Sequence, residues 1–342
     1  MIKKVIDYIN PKIRAKIKLR YALFKYYFTK KVSFPNWIAM DVTNICNLKC
    51  PLCPTGLNKS KSKKIMMPFD NFKTIIDKLP SSIKLILLCD FGEPFLNPNI
   101  FEMINYIKKR KILTKIDSNF NIKKDDKFFK NIIISGLDIL NISLDGCSQK
   151  IYEKYRIGGN LNLVISNIKR LVKIKKKLKS KNPKITWIFM VNRFNEHEIE
   201  KAKEKTKEIG INFRIKKMGL SDQCIDIKLD QDIEERKRCW LPRNKKYIRK
   251  CYSGKYKLPL YKSPCHHLFD TLFISANGNV LPCCYLSNES LSFGNILKES
   301  FEDVWNNNKY KYSRSLFSYN KYKSSEILTI CSKCEIFKKL TR

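Results

Sequence analysis

Three cysteines, Cys46, Cys50 and Cys53, share the run Asn44-Ile45-Cys46-Asn47-Leu48-Lys49-Cys50-Pro51-Leu52-Cys53-Pro54. A cubic four-iron cluster needs four ligands, so three thiolates in one loop would hold three irons and leave the fourth open to another ligand. That open iron is a place for chemistry. Zinc would require a fourth Cys or His close by, and the segment from Thr55 to Phe69 supplies none. The last third of the chain holds a second set: Cys265, twelve intervening residues, Gly278, four more, Cys283, and later Cys331-Ser332-Lys333-Cys334. Four thiolates in two pairs could close a zinc site. They could also close a four-iron cluster, which then lacks an open iron and suits electron transfer better than substrate binding. Cys89, Cys147, Cys224, Cys239 and Cys251 read as small buried apolar residues, with Cys239 or Cys251 as a reserve ligand.

The elements that must position the first loop follow from hydrophobic periodicity. Between Trp37 and about Met218, short β-rich runs alternate with amphipathic helical runs, which predicts a parallel sheet with crossover helices. Strands are expected at 37–42, 83–88, 113–116, 139–144, 185–191 and 212–215, and helices at 69–79, 99–109, 125–134, 160–178 and 195–209. Ligands of such sheets collect at the C-terminal ends of the strands, and Cys46 follows the first strand at that end.

Placed on this scaffold, the C-x3-C-x2-C loop resembles the radical S-adenosylmethionine (SAM) superfamily from about Trp37 to the C-terminus. Asp90-Phe91-Gly92-Glu93-Pro94 is similar to the family's Gly-Gly-Glu-Pro motif, with Phe91 in place of the first glycine, so that Gly92 carries the tight backbone approach. Asp117-Ser118-Asn119-Phe120 and Ser143-Leu144-Asp145-Gly146 end the third and fourth strands, and Tyr152-Glu153-Lys154-Tyr155-Arg156-Ile157-Gly158-Gly159 follows. The resemblance implies an α/β fold, a partial (β/α)6 TIM-like barrel, with a 4Fe-4S cluster on Cys46, Cys50 and Cys53 whose open iron chelates SAM. Reductive cleavage to a 5'-deoxyadenosyl radical, which takes a hydrogen atom from the substrate, is implied with it. The resemblance also places Gly92, Glu93 and Pro94 at the cofactor's amino group, Ser118, Asn119 and Ser143 near its ribose and carboxylate, and Arg156 at the carboxylate. Asp145 belongs to the same group or caps the following helix. Leu52 stands where many members carry an aromatic residue.

The C-terminal spacing resembles the auxiliary-cluster extension called the SPASM domain. Its supports are the hairpin from Phe273 to Cys284, with Asn277-Gly278 as its turn, then Phe293-Gly294-Asn295-Ile296 and Trp305. The resemblance implies an auxiliary 4Fe-4S cluster on Cys265, Cys283, Cys331 and Cys334, with Cys284 the alternative to Cys283. No cysteine follows Cys334, so a shortened, single-cluster form and two 4Fe-4S clusters per chain are expected. The expected division is a basic amphipathic extension at 1–36, a radical SAM partial barrel at 37–220, and a linker with a small Cys-rich iron-sulfur domain at 221–342.

Composition bounds the remaining possibilities. The chain has 342 residues and can bury a sizeable core; its 13 cysteines, several in close sets, read as metal ligands in a reducing, cytoplasmic compartment rather than as a secreted disulfide scaffold. Its net charge of +38 comes largely from lysines scattered among Ile and Asn, with no nucleic-acid module, so no specific nucleic-acid partner is expected. Residues 1–31 carry eight Lys and two Arg against one Asp, and Ile13, Ile17, Tyr21, Phe24 and Phe28 line one helical face. Packing on the barrel exterior, peripheral contact with the inner face of an anionic membrane and docking of an acidic partner are all open to such a helix.

The expected function is oxidation of a small metabolite, a sugar, amino sugar or similar, with the auxiliary cluster as electron acceptor and a flavodoxin- or ferredoxin-type reductant. Modification of a ribosomally made peptide is the alternative. Relatives of that kind usually carry a leader-binding module, for which the first 36 residues are too short and too basic. A non-catalytic metal-binding scaffold is the remote third reading, because it makes coincidences of the strand-end motifs. His266, His267, Asp270, Tyr252 and Tyr285 lie near the second cysteine set in sequence and could act as a base, with structural roles expected first.

Overall fold

The computed structural model describes residues 32–58, 62–220, 232–249, 265, 267–284, 286–317, 328–334 and 337. The basic segment 1–31 and Cys224, Cys251, Tyr252, His266 and Tyr285 lie outside the described residues.

Short runs rich in Ile, Leu and Val form β1 (Trp37–Met40), β2 (Leu85–Leu87), β3 (Leu113–Ser118), β4 (Ile139–Ser143), β5 (Lys184–Val191) and β6 (Asn212–Lys217). Between them run α1 (Phe69–Lys78), α2 (Ile100–Lys109), α3 (Asp126–Ile134), α4 (Gln149–Tyr155), α5 (Leu161–Lys177) and α6 (Ile199–Ile209). Local chemistry sets their ends. Asp125 and Asn160 cap α3 and α5 by accepting from the amides of Phe128 and Leu163, and Gly210 ends α6 in the left-handed conformation at φ 80°. The helices bury one stripe each, such as Phe72, Ile75 and Ile76 on α1, against strands that are apolar on both faces.

Beyond α7 (Ile233–Trp240), the C-terminal part supplies α8 (His267–Asp270), β7 (Thr271–Ile274), β8 (Asn279–Leu281), β9 (Gly294–Asn295), α9 (Phe301–Asn306) and α10 (Asn308–Ser315). The nine described strands form one sheet in the order β6-β5-β4-β3-β2-β1-β7-β8-β9, with β1 to β6 parallel. The six β/α units stand where periodicity put them, and the hairpin β7–β8 turns at Asn277-Gly278, with Gly278 at φ 77°.

Two features differ from the sequence reading. The segment after Asp145 contains α4, too short for a helical period to register; and α6 starts at Ile199, because residues Glu196–Glu198 form a 3-10 turn. A third feature was not foreseen: β7 is parallel to β1 and pairs with it from Trp37↔Thr271 to Met40↔Ile274. This strand from the C-terminal part therefore covers the outer edge of the first barrel strand, whose Ile38, Ala39 and Met40 are fully buried.

Candidate active site

The three-cysteine loop leaves the C-terminal end of β1 and is pinned from several sides. Asn44 Nδ2 donates to the Lys63 carbonyl at 2.8 Å while its Oδ1 accepts from the Ile65 amide at 2.8 Å, closing the loop's base. The Glu93 amide donates to the Ile45 carbonyl at 2.8 Å, and the Lys49 amide to the Ile157 carbonyl at 3.0 Å. Gly92 sits at φ 85°, and a Cβ there would lie 2.3 Å from the Thr43 carbonyl oxygen, so this position requires glycine. Gly56 meets a similar demand, since its Cβ would lie 2.5 Å from the Cys50 amide nitrogen. Sequence reasoning did not single out Gly56, because an isolated glycine in a loop carries no pattern.

The thiols are held individually. Cys46 Sγ accepts from the Leu48 amide at 3.5 Å and from Asn119 Nδ2 at 3.6 Å, and Cys50 Sγ accepts from Arg156 Nη1 at 3.7 Å. Leu48, Leu52, Tyr155, Met218 and Leu241 form a separate apolar casing, against which Cys46 and Cys53 pack. Burial pushes Cys46 up to about 11 and raises Cys50, so loading with iron must displace protons from both.

The other sequence-predicted residues fall into two groups. Gly92, Glu93, Asn119, Ser143 and Arg156 line one cavity of about 440 Å3 together with Cys46, Cys50 and Cys53. Pro94, Ser118 and Asp145 do not reach its wall and instead hold those that do. Pro94 opens a 3-10 turn behind Glu93; Ser118 Oγ donates to Glu93 Oε1 at 2.8 Å; Asp145, fully buried, grips Arg156 Nε at 2.7 Å and accepts from the Met190 amide. Asp145 is thus the partner of Arg156 and caps no helix. Asn119 differs as well, because its amide turns to Cys46 Sγ and to Asn47 Oδ1 at 2.9 Å. Glu93 accepts from Ser118 Oγ and from the Asn119 and Phe95 amides, yet burial outweighs these donors and pushes its carboxyl up to about 7. A cationic ammonium group in the cavity is the partner this buried carboxylate fits.

Trp37, Asp90, Asp117, Lys216, His267, Phe273 and Cys284 also line the cavity, and of these Trp37, Lys216 and Phe273 carried no site signal in the sequence. Asp41 accepts from the amides of Asp90 and Phe91 at 2.8 and 2.6 Å and so fixes the turn that carries Asp90. Burial, then neighbouring Asp41, raises the Asp90 carboxyl well above the usual range. His267 Nε2 lies 3.9 Å from Cys284 Sγ, and its ring stands edge-on to Phe273. His267 is therefore a cavity residue, whereas Asp270 has the structural role expected, accepting from Thr271 Oγ1 at 2.8 Å.

The second cysteine set also converges. Cys265 interacts electrostatically with Cys331 and Cys334, while Tyr310 senses Cys331, Cys283 and Cys265 together. Cys283 and Cys284 both pack against the cluster of Ala39, Phe273, Leu281 and Leu286, and of the two Cys284 lines the cavity. Burial pushes Cys265 up to about 12 and Cys331 up to about 11. The buried Tyr310 hydroxyl has no hydrogen-bond partner among the described residues, and a sulfide-bearing cluster would give it an acceptor. Among the described residues no three His, Cys, Asp or Glu side chains are gathered around a single-ion position. Cys89, expected to be a buried apolar residue, instead lines the cavity with the three-cysteine loop, whereas Cys147 lies in the main core and Cys239 on α7.

A parallel partial barrel with a three-thiol loop at its mouth and a closed cysteine set beside it defines an iron-sulfur enzyme that activates a bound cofactor. The family model of the radical SAM superfamily matches residues 40–206, and that of the SPASM iron-sulfur cluster-binding domain matches residues 265–335. The chain belongs to the radical SAM superfamily and carries a SPASM-type C-terminal domain. It is 22% identical over 329 residues to the tungsten-containing aldehyde ferredoxin oxidoreductase cofactor-modifying protein of Pyrococcus furiosus, covering 88% of this chain and 89% of that one. To the AdoMet-dependent heme synthase of Methanosarcina barkeri it is 24% identical over 305 residues, covering 80% and 82%. In fold it is similar to Streptococcus suis SuiB bound to precursor peptide SuiA, with a TM-score of 0.64 and 17% identity over 97% of this chain and 76% of that one.

Proposed function

We propose that this enzyme oxidises a small metabolite, such as a sugar or amino sugar, and that its two cysteine sets hold two 4Fe-4S clusters with separate duties. The observation that carries the reading is the cavity wall: Cys284 lines the cavity together with the three-cysteine loop, and Cys283, the proposed ligand of the second set, is next to it in the chain. An electron leaving the cavity therefore has a short covalent path toward the second set. The volume, about 440 Å3, lies in the range of small-molecule sites. Two of the relatives are named for work on a cofactor and on heme, which supports a small-molecule substrate.

When bound, the groups supply a hydrogen-abstracting 5'-deoxyadenosyl radical at the first site and a one-electron sink at the second. The chain's own residues do the rest. Glu93 and the turn at Gly92 would receive the ammonium end of SAM, Arg156 its carboxylate, and the Ser143 hydroxyl a further polar group of the cofactor, since all four line the cavity. Leu48, Leu52 and Tyr155 keep water from the thiols. Asp90 and His267 are the cavity groups placed to take a proton from the substrate. A flavodoxin- or ferredoxin-type protein is the proposed reductant.

Modification of a ribosomally made peptide is the second reading, favoured by the fold shared with peptide-bound SuiB. Mass spectrometry of anaerobic reactions separates the two. Loss of two hydrogens from a small amino sugar supports the first, and a modified precursor peptide with no small-molecule turnover overturns it. Among the described residues no helix is long and apolar enough to cross a membrane. Peripheral membrane contact through residues 1–31 is proposed only as far as co-sedimentation with anionic liposomes supports it.

A further inference from the structure

The residues around the second cysteine set are more specialised than a structural staple needs. Tyr310 on α10 is fully buried, with an unpartnered hydroxyl within electrostatic reach of Cys265, Cys283 and Cys331. One turn later, Ser313 Oγ lies 2.8 Å from Thr329 Oγ1, and Thr329 leads into the 3-10 turn Ile330–Lys333 that carries Cys331. Arg314, 1% exposed, is sandwiched with its guanidinium carbon 4.3 Å from the Trp305 ring and 4.7 Å from the Tyr310 ring. Arg314 Nε donates to the Leu268 carbonyl at 2.8 Å and Nη1 to the Trp305 carbonyl at 2.8 Å, which fixes the guanidinium against the Tyr310 ring.

We infer that Tyr310, Ser313 and Thr329 are positioning residues that raise the reduction potential of the auxiliary cluster, so that it accepts electrons from the cavity, with Arg314 holding the Tyr310 ring in place. The inference rests on the reading that Cys265, Cys283, Cys331 and Cys334 hold a 4Fe-4S cluster. Hydroxyl hydrogen bonds to cluster sulfurs favour the more negative, reduced state, and low solvent exposure strengthens the effect.

The test is a redox titration of the anaerobically reconstituted full-length chain, followed by electron paramagnetic resonance, with iron counted in every sample. Tyr310→Phe removes only the hydroxyl and leaves the ring against Arg314. It is expected to shift the auxiliary couple about tenfold toward the oxidised form, which for one electron is about 59 mV more negative. Ser313→Ala should move the potential in the same direction, and it serves as the second variant if Tyr310→Phe does not fold. The potential of the cluster on Cys46, Cys50 and Cys53 should stay fixed in both. An auxiliary cluster retained in full with unchanged potential in both variants would overturn the inference and leave the proposed function standing. A wild-type chain that loads only one cluster would overturn both.

Discussion

Gly92 shows how a single position can be settled by backbone geometry and chemistry together. A side chain there faces the left-handed cost of about 1–2 kcal/mol, and its Cβ would press on the Thr43 carbonyl at 2.3 Å, at the base of the cysteine loop. Gly92→Ala is expected to fold with a lower Tm and to retain less iron in the three-cysteine loop, as read by iron analysis after reconstitution. Asp41 permits a sharper test. Burial is the main cause that pushes its carboxyl from the ordinary 3.8 to about 7, so between those values the folded chain holds a proton that the unfolded chain has released. Its contribution to stability is therefore full below about pH 4 and lost as pH rises through about 7. Because Oδ1 alone accepts from the Asp90 and Phe91 amides, Asp41→Asn keeps both hydrogen bonds. The variant should match wild type in Tm near pH 4 and exceed it at pH 8; a wild-type advantage at pH 8 would contradict the assignment. Gly92, Glu93 and Arg156 were legible because motif and strand position coincide. Asp41 was not, because the strand-end rule says which side chains reach the barrel mouth and not which neighbours they meet there, and His267, read first as structural, lines the cavity instead. Asn119 reached the cavity as expected, yet its amide found Cys46.

At the scale of elements, the strand that decides most is β7. The six barrel strands and five of their helices could be read from periodicity, since each buries a continuous apolar run or stripe. The pairing of β7 with β1 could not, because a strand's apolar pattern says that an edge must be covered without naming what covers it. The consequence is that the barrel and the C-terminal part share one sheet and one main core, which runs from Ile38 and Phe72 to Trp305 and Tyr310. A chain truncated after Leu220 would expose the β1 edge and the Trp37 and Ala39 surfaces against which Phe273 packs. It is expected to aggregate, as seen by light scattering and soluble yield. A monomeric, folded 32–220 fragment would show instead that the barrel stands alone.

Over the whole molecule, the three-cysteine loop opens on one cavity, and the C-terminal part contributes both a wall of that cavity, through His267, Phe273 and Cys284, and the second cysteine set. The positive charge of +38 says little about this arrangement, because most of it is spread over lysine-bearing helix surfaces such as Lys175, Lys176 and Lys177 at the end of α5. The second cysteine set is a proposal from spacing, and what the fold adds is that Cys284, not Cys283, lines the cavity. The measurement that tests the two-site account most directly is iron content together with 5'-deoxyadenosine release, in wild type and in the Cys331→Ala/Cys334→Ala chain. The account predicts about eight irons in wild type, about four in the variant, and continued but uncoupled cleavage of SAM by that variant. About four irons in wild type, or cleavage abolished in the variant while its first cluster is intact, would contradict it.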